Sequence, residues 1–419
     1  MDKFIVKGGN TLSGEVEISA AKNAVLPIIA ATILCADKCT IINCPMLLDV
    51  YVICDVLKIL GAKVIIDAKS STVNIDTSGI NGIESGSNLV RKMRGSFLIM
   101  GAMISRFGRF KISLPGGCNI GTRPIDLHLK GFKSLGASVK IDHGYVEASS
   151  KKLRGERIYL DYPSVGATEN IMMASVMAEG ETIIENAAEE PEIGDLAKFL
   201  NKMGAKVSGI GTDTLKIIGV KELHGANYRP IYDRIEAGTF MIAAGITKSK
   251  FKIRGIDNEH IKPIVAKLTE MGIKIDLDKS QLIIDGTGTL KPIDIKTMPY
   301  PGFPTDMQAQ MMSLLSVVKG TSVVTETIFE NRFMHVTELK RMGANIKIDG
   351  RSAVIEGINR FTGAEVKATD LRAGAALVIA ALGGEGETEI RDIYHIDRGY
   401  VEFEKKLRTL GADIRRMEV

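Results

Sequence analysis

The 419-residue chain contains no tryptophan, and aromatic residues make up only 5% of it. Proteins that hold single-stranded nucleic acid stack bases on aromatic platforms. A formal net charge of +4 without basic runs offers no electrostatic stripe either. A repeat-built, non-catalytic nucleic-acid binder is therefore disfavoured. Cysteine is scarce: five residues, an odd number, without CxxC or other metal-type spacing. That usage fits a reducing compartment better than a disulfide framework. The six histidines show no HxxxH pairing, so no metal and no cofactor are assigned. The longest apolar run, AVLPIIAATILCA, is too short to cross a bilayer. The opening MDKFIVKGGN lacks the regions of a signal peptide. These absences predict a soluble, cytoplasmic protein with no membrane segment, and no obligate protein partner is evident in them.

What is present is a repeat. LGAKV at Leu60 returns as LGASV at Leu135, MGAKV at Met203, MGIKI at Met271, MGANI at Met342 and LGADI at Leu410. Six copies about 70 residues apart span the chain. Each tag closes an amphipathic helix, its glycine suited to the C-cap, and an alternating strand follows. Upstream of each lies another helix, such as VGATENIMMASVMA or TDLRAGAALVIAAL, apolar nearly all round and so expected to be buried. The fold class read from this is α/β: two similar domains of three repeats each, with inner helices enclosed by sheet. The sixth unit ends within a few residues of LGADI, while FIVKGG and GEVEIS stand unassigned at the start. Giving those strands to the C-terminal half predicts a middle domain, 22–231, and a discontinuous second domain, 1–21 and 232–419. An interdomain cleft is the expected ligand site.

Polar residues open the buried helices: Lys22 and Asn23, Arg91 and Arg94, Thr168 and Asn170, Asp233 and Arg234, Thr305 and Asp306, Asp370 and Arg372. Arg123, Arg332 and Arg398 occupy equivalent loops before outer helices. A single loop arginine is ordinarily a solvated charge. Arginines repeated at helix N-termini make an anion-attracting surface. Thr305-Asp-Met-Gln308 also reads as a capping box, which gives Asp306 a structural alternative. In PGGCNIGTRPIDLH, Cys118 lies between the strand RFKISLP and a helix beginning near Pro124. Arg123 and the helix terminus favour its thiolate, so Cys118 is expected to react or to transfer protons. Cys35, Cys39, Cys44 and Cys54 lie in apolar stretches and are expected to be inert packing.

PGGCNIGTRPIDLH, GFPTDMQAQ, FENRFMH, ATDLRAGA, YHIDRGY and SAAKNAVLP together resemble the UDP-N-acetylglucosamine 1-carboxyvinyltransferase family, the MurA enolpyruvyl transferases. The resemblance covers essentially the whole chain. It implies two inside-out α/β barrels and transfer of the enolpyruvyl group of phosphoenolpyruvate to the 3′-hydroxyl of UDP-N-acetylglucosamine. Phosphate would be released in this committed step of peptidoglycan precursor synthesis, with fosfomycin as an alkylating inhibitor. By motif, Lys22, Arg123 and Arg398 would contact the phosphate, with Asn23, Arg94, Arg332 and Arg372 completing the phosphoenolpyruvate site. Cys118 would be the acid and Asp306 the base, with Lys22 counted among the catalytic groups. Asn23, Arg94, Arg123, Pro124, Asp126, His128, Ser164, Val165, Gly166, Asp306 and Ile328 would seat the nucleotide sugar. Asp370 would position Arg372. Tyr162-Pro163 replaces a Lys-Val of some family members, so no diphosphate contact is carried over there.

Two enzymatic rivals remain. 5-Enolpyruvylshikimate-3-phosphate synthase shares the implied architecture but lacks the PGGC loop. A cysteine hydrolase built on Cys118 and His128 would need a third, orienting group that the spacing does not supply.

Overall fold

The six glycines of the recurring tag all adopt the left-handed backbone that only glycine enters without strain: φ is 105° at Gly61, 89° at Gly136, 104° at Gly204, 105° at Gly272, 97° at Gly343 and 97° at Gly411. Each therefore stops its outer helix and turns the chain into a strand. At Gly61, for example, its N–H reaches the Lys58 carbonyl at 3.0 Å and Ala62 N–H reaches Leu57 at 2.9 Å. That is a Schellman closure. The outer helices so ended are Leu48–Ile59, Asp126–Ser134, Pro191–Lys202, Asn258–Met271, His335–Arg341 and Phe403–Thr409.

The computed structural model describes residues 2–80, 96–113 and 125–418. Cys118, Arg91, Arg94, Arg123 and Pro124 lie outside the described residues. Among those described, one compact unit comprises 20–80, 96–113 and 125–231, and the other 2–19 and 232–418.

Each unit carries three small sheets. In the second unit the chain start completes the last repeat: Lys3–Lys7 lies antiparallel between Glu387–Arg391 and Asp413–Met417, with Phe4 opposite Ile390 and Arg416. Glu15–Glu17 runs parallel to Lys250–Arg254, Val16 opposite Ile253. In the first unit the closing strand is Asn227–Tyr228, parallel to Lys38–Ile42. All six sheets have three or four strands, and no ladder closes into a continuous barrel among the described residues.

The inside-out character lies in the helices. Arg234–Ile246 is buried at every position and Leu371–Leu382 at all but its first. Met100–Phe107 and Val165–Ser175 approach so closely that a Cβ on Gly101 would stand 2.1 Å from the Asn170 carbonyl oxygen. Strands keep the alternation of half-buried sheet, as in Lys250–Arg254, where Phe251 and Ile253 are buried between more exposed neighbours.

Polar openings of the buried helices divide into two kinds. Asp233 and Asp370 are N-caps, each accepting two backbone N–H bonds at 2.8–3.0 Å. Thr168 accepts from Ala188 N at 3.1 Å, and Asn170 accepts from Gly101 N at 2.8 Å. These four have structural work that accounts for their presence.

Candidate functional site

In the unit formed by 2–19 and 232–418, three predicted residues meet. Asp306 sits on the single turn Thr305–Met307 ahead of the buried helix Gln308–Leu315. One carboxylate oxygen accepts from Arg332 Nη2 at 2.8 Å. The other accepts from Arg372 Nε at 3.1 Å and Nη2 at 2.9 Å. Both arginines are nearly sealed, at 4% and 3% side-chain exposure, while Asp306 keeps 26%. The carboxylate is thus the reachable face of a buried cationic pair. Burial opposes its ionisation, but the Arg372 and Arg332 charges outweigh that and hold the carboxyl well below the usual carboxylate range.

The capping-box alternative does not form. Neither helix start around Asp306 has a side-chain cap, and the Thr305 hydroxyl donates instead to Glu326 Oε2 at 2.9 Å. Satisfying two guanidiniums decides the use of the Asp306 carboxylate.

Around this clasp lies a polar layer that sequence reasoning missed. The Arg372 guanidinium lies 5.4 Å from the Tyr400 ring centre. Tyr400 Oη shares a 2.9 Å hydrogen bond with Thr239 Oγ1, and Gln310 Nε2 donates to both at 3.2 Å. His335 Nδ1 lies 3.1 Å from the Arg332 carbonyl. Burial is the main cause pushing His335 down to about 4, so its ring is neutral at pH 7. Arg398, half-buried, follows the short helix Tyr394–Asp397.

In the other unit, Lys22 opens the helix Lys22–Ala31 and pairs with Asp49 at 2.6 Å, with the two side chains 11% and 19% exposed. Asn23 beside it is exposed. Asp49 was not singled out. Its signal was an acid in the first turn of an outer helix whose leading loop, NCPMLLD, has no arginine.

The described part of RPIDLH, from Ile125 to His128, meets DYPSVGAT at one point. His128 packs against Gly166, where a Cβ would stand 3.1 Å from His128 Nε2. Its Nδ1 is buried and has no hydrogen-bond partner among the described residues. Burial, only partly countered by Asp126, pushes His128 down to about 4. Ser164 caps the helix Val165–Ser175 through Ala167 N at 3.4 Å. Asp126 and Gly166 therefore flank a neutral imidazole close to the starts of the helices Asp126–Ser134 and Val165–Ser175, and helix N-termini favour an anion. Tyr162, next to this cap, is 42% exposed.

The four described cysteines are all buried and unbridged. Cys44 and Cys54 fit the packing expectation, with burial pushing the Cys54 thiol up to about 12. Cys35 is equally buried. Its sulfur lies 3.9 Å from Cys39 Sγ, and that contact draws the Cys35 thiol down to about 7.

Among the described residues no group of three acidic, histidine or cysteine side chains could hold a metal ion. No described helix is long and apolar enough to cross a membrane.

The family model described as EPSP synthase (3-phosphoshikimate 1-carboxyvinyltransferase) matches residues 6–407. The chain is 71% identical to UDP-N-acetylglucosamine 1-carboxyvinyltransferase 1 of Clostridium acetobutylicum, with all of each chain covered. It is 67% identical to UDP-N-acetylglucosamine 1-carboxyvinyltransferase 2 of Clostridium tetani, again over the full length of both. The crystal structure of the enolpyruvyl transferase NikO from Streptomyces tendae superposes with a TM-score of 0.90 at 26% identity, covering 100% of this chain and 99% of that one.

Proposed function

The chain belongs to the UDP-N-acetylglucosamine 1-carboxyvinyltransferase family, within the wider group that the EPSP synthase model describes, and from that membership we propose how its residues carry out the reaction. The enzyme transfers the enolpyruvyl group of phosphoenolpyruvate to UDP-N-acetylglucosamine and releases phosphate. The observation that carries the reading is the Asp306 carboxylate clasped by two buried arginines.

Phosphoenolpyruvate brings a phosphate and a carboxylate, and each needs cationic partners. In our reading Lys22, Arg123 and Arg398 take the phosphate. Arg94, Arg332 and Arg372 complete the cationic lining and hold the carboxylate. Asn23 hydrogen-bonds the sugar. Asp126, His128, Ser164, Val165 and Gly166, with Arg123, Pro124 and Ile328, seat the uridine diphosphate.

The chemistry is addition followed by elimination. The Cys118 thiol gives its proton to the methylene carbon of phosphoenolpyruvate. The sugar 3′-oxygen bonds to the neighbouring carbon while its proton passes to Asp306. The tetrahedral adduct then returns a proton from the new methyl group to the Cys118 thiolate, its carbon–oxygen bond to phosphate breaks, and the enol ether forms. Proton transfer of this kind contributes about 10²–10⁴ in rate.

Asp306 as it stands is a weak base, because both guanidiniums stabilise its ionised form. Substrate anions offer Arg332 and Arg372 new partners. As their grip on Asp306 relaxes, its basicity rises when the hydroxyl is in place. The same reading puts the reaction in peptidoglycan precursor synthesis and makes Cys118 the site of fosfomycin alkylation. Cys118→Asp would escape labelling and keep part of the turnover, since a carboxylic acid also donates protons.

The test is phosphate release from phosphoenolpyruvate with UDP-N-acetylglucosamine or shikimate 3-phosphate as acceptor. Release with the nucleotide sugar alone, collapsing in Cys118→Ala, is expected. Release with shikimate 3-phosphate instead would assign the chain to the other acceptor.

A further inference from the structure

Glu326 is 1% exposed, directly after the strand Thr321–Thr325, and no step above uses it. Its carboxylate is fully engaged. Oε1 accepts from Thr297 Oγ1 at 2.9 Å, Ile328 N at 2.7 Å and Phe329 N at 3.2 Å. Oε2 accepts from Thr305 Oγ1 at 2.9 Å. Thr297 is itself fixed, accepting from Thr327 N at 3.0 Å and taking the Thr327 hydroxyl on its carbonyl at 2.6 Å.

Those four donors belong to places that matter for different reasons. Thr305 precedes Asp306. Ile328 belongs to the nucleotide-sugar seat. Phe329 carries the Arg332 guanidinium 5.3 Å from its ring centre. One buried carboxylate therefore ties the Thr305 side chain, next to Asp306, to the backbone at Ile328 and Phe329, the latter packing against Arg332.

We propose that Glu326 is a positioning residue that sets the catalytic carboxylate and the acceptor seat in register, Oε2 holding Thr305 beside Asp306 and Oε1 holding the Ile328–Phe329 segment. The proposal rests on the roles given above to Asp306 and Ile328. A buried anion with four donors holds its neighbours more tightly than neutral groups would, because charge-assisted bonds are about twice as strong as neutral ones. Register of this kind affects rate directly: a misplacement of about 1 Å lowers turnover about 100-fold.

The two oxygens make the proposal separable. Thr305→Val removes only the bond on the Asp306 side. It should lower kcat about 10- to 100-fold and leave KM for UDP-N-acetylglucosamine within about twofold. Glu326→Ala removes both sides, so kcat falls and that KM rises together. Glu326→Gln keeps Oε1 for three donors, and its amide can donate to Thr305 Oγ1, so it should restore most of both parameters.

Amide hydrogen exchange reads the same division without turnover. Ile328 and Phe329 should exchange faster in Glu326→Ala and unchanged in Thr305→Val. Wild-type turnover measured alongside reports on the reaction assignment by itself, whereas the exchange pattern reports on Glu326. Equal kinetic losses in Thr305→Val and Glu326→Ala would overturn the proposal. So would loss of thermal stability with kcat and KM per folded molecule unchanged.

Discussion

Replacing Asp306 by asparagine should cost both stability and turnover, and the structure sets the scale of each. The substitution keeps the side-chain volume and one carbonyl acceptor but removes the charge between Arg332 and Arg372, which are 4% and 3% exposed. Leaving a buried charge without its partner costs about 3–5 kcal/mol. The 26% exposure of Asp306 lets solvent share the load, so the expectation is the low end, about 3 kcal/mol. For a unit of this size that corresponds to a Tm lowered by about 6–12 °C. Because the folded carboxyl titrates below its ordinary value, its stabilisation is complete above about pH 4 and is lost as pH falls through the depressed folded value. Urea unfolding of wild type and Asp306→Asn should therefore differ by a constant amount from pH 8 to 5, with the gap closing only in strong acid. Inorganic phosphate should narrow it by supplying the two arginines with an anion in place of the lost carboxylate charge. Turnover should fall about 10²–10⁴-fold. Equal stability at pH 7, or a gap that widens on acidification, would refute the reasoning.

Three further outcomes follow from particular contacts. His128 and His335 are both held neutral by burial and pushed down to about 4. Their contribution is fully present above the unfolded value of about 6.5 and is lost as pH falls towards 4. For His128 this is worth about 3 kcal/mol, and unfolding of His128→Gln should be correspondingly less sensitive to pH in that window. Gly101→Ala places a Cβ 2.1 Å from a backbone oxygen that cannot yield, so it should lose soluble expression or more than about 3 kcal/mol on chemical denaturation. Gly166→Ala meets only the His128 ring, at 3.1 Å, and should leave stability within about 1 kcal/mol. It should raise KM for UDP-N-acetylglucosamine about fivefold by displacing that imidazole, and an unchanged KM would remove His128 from the acceptor seat.

The repeat was legible because its signal is local. A glycine that must take positive φ, an apolar run before it and an alternating strand after it recur six times, and the tags end the outer helices in all six units. The adoption of Lys3–Lys7 by the last sheet followed from counting strands. The arginines were legible as charges where a buried helix needs none. Their partner was not: Asp306 and Arg372 are 66 positions apart, and taken alone the same letters read first as a capping box. Asp233, Thr168, Asn170 and Asp370 show the opposite case, polar helix starts whose hydrogen bonds are structural. Glu326 gave no signal, since an acid at a strand end is ordinarily solvent-facing, and only folding gathers Thr297, Thr305 and Ile328 around it. The Cys35–Cys39 contact was hidden for a different reason: the two lie four positions apart in CADKC, and only the bend between them brings their sulfurs to 3.9 Å.

The most direct measurement is the stoichiometry of the reaction. Phosphate released and enolpyruvyl nucleotide sugar formed should be counted in one vessel containing phosphoenolpyruvate, UDP-N-acetylglucosamine and the enzyme. Addition–elimination requires the two to appear in equal amounts, and neither to appear in Cys118→Ala. Phosphate in excess of enolpyruvyl product would mean that water, not the sugar hydroxyl, reaches phosphoenolpyruvate, and would contradict the account.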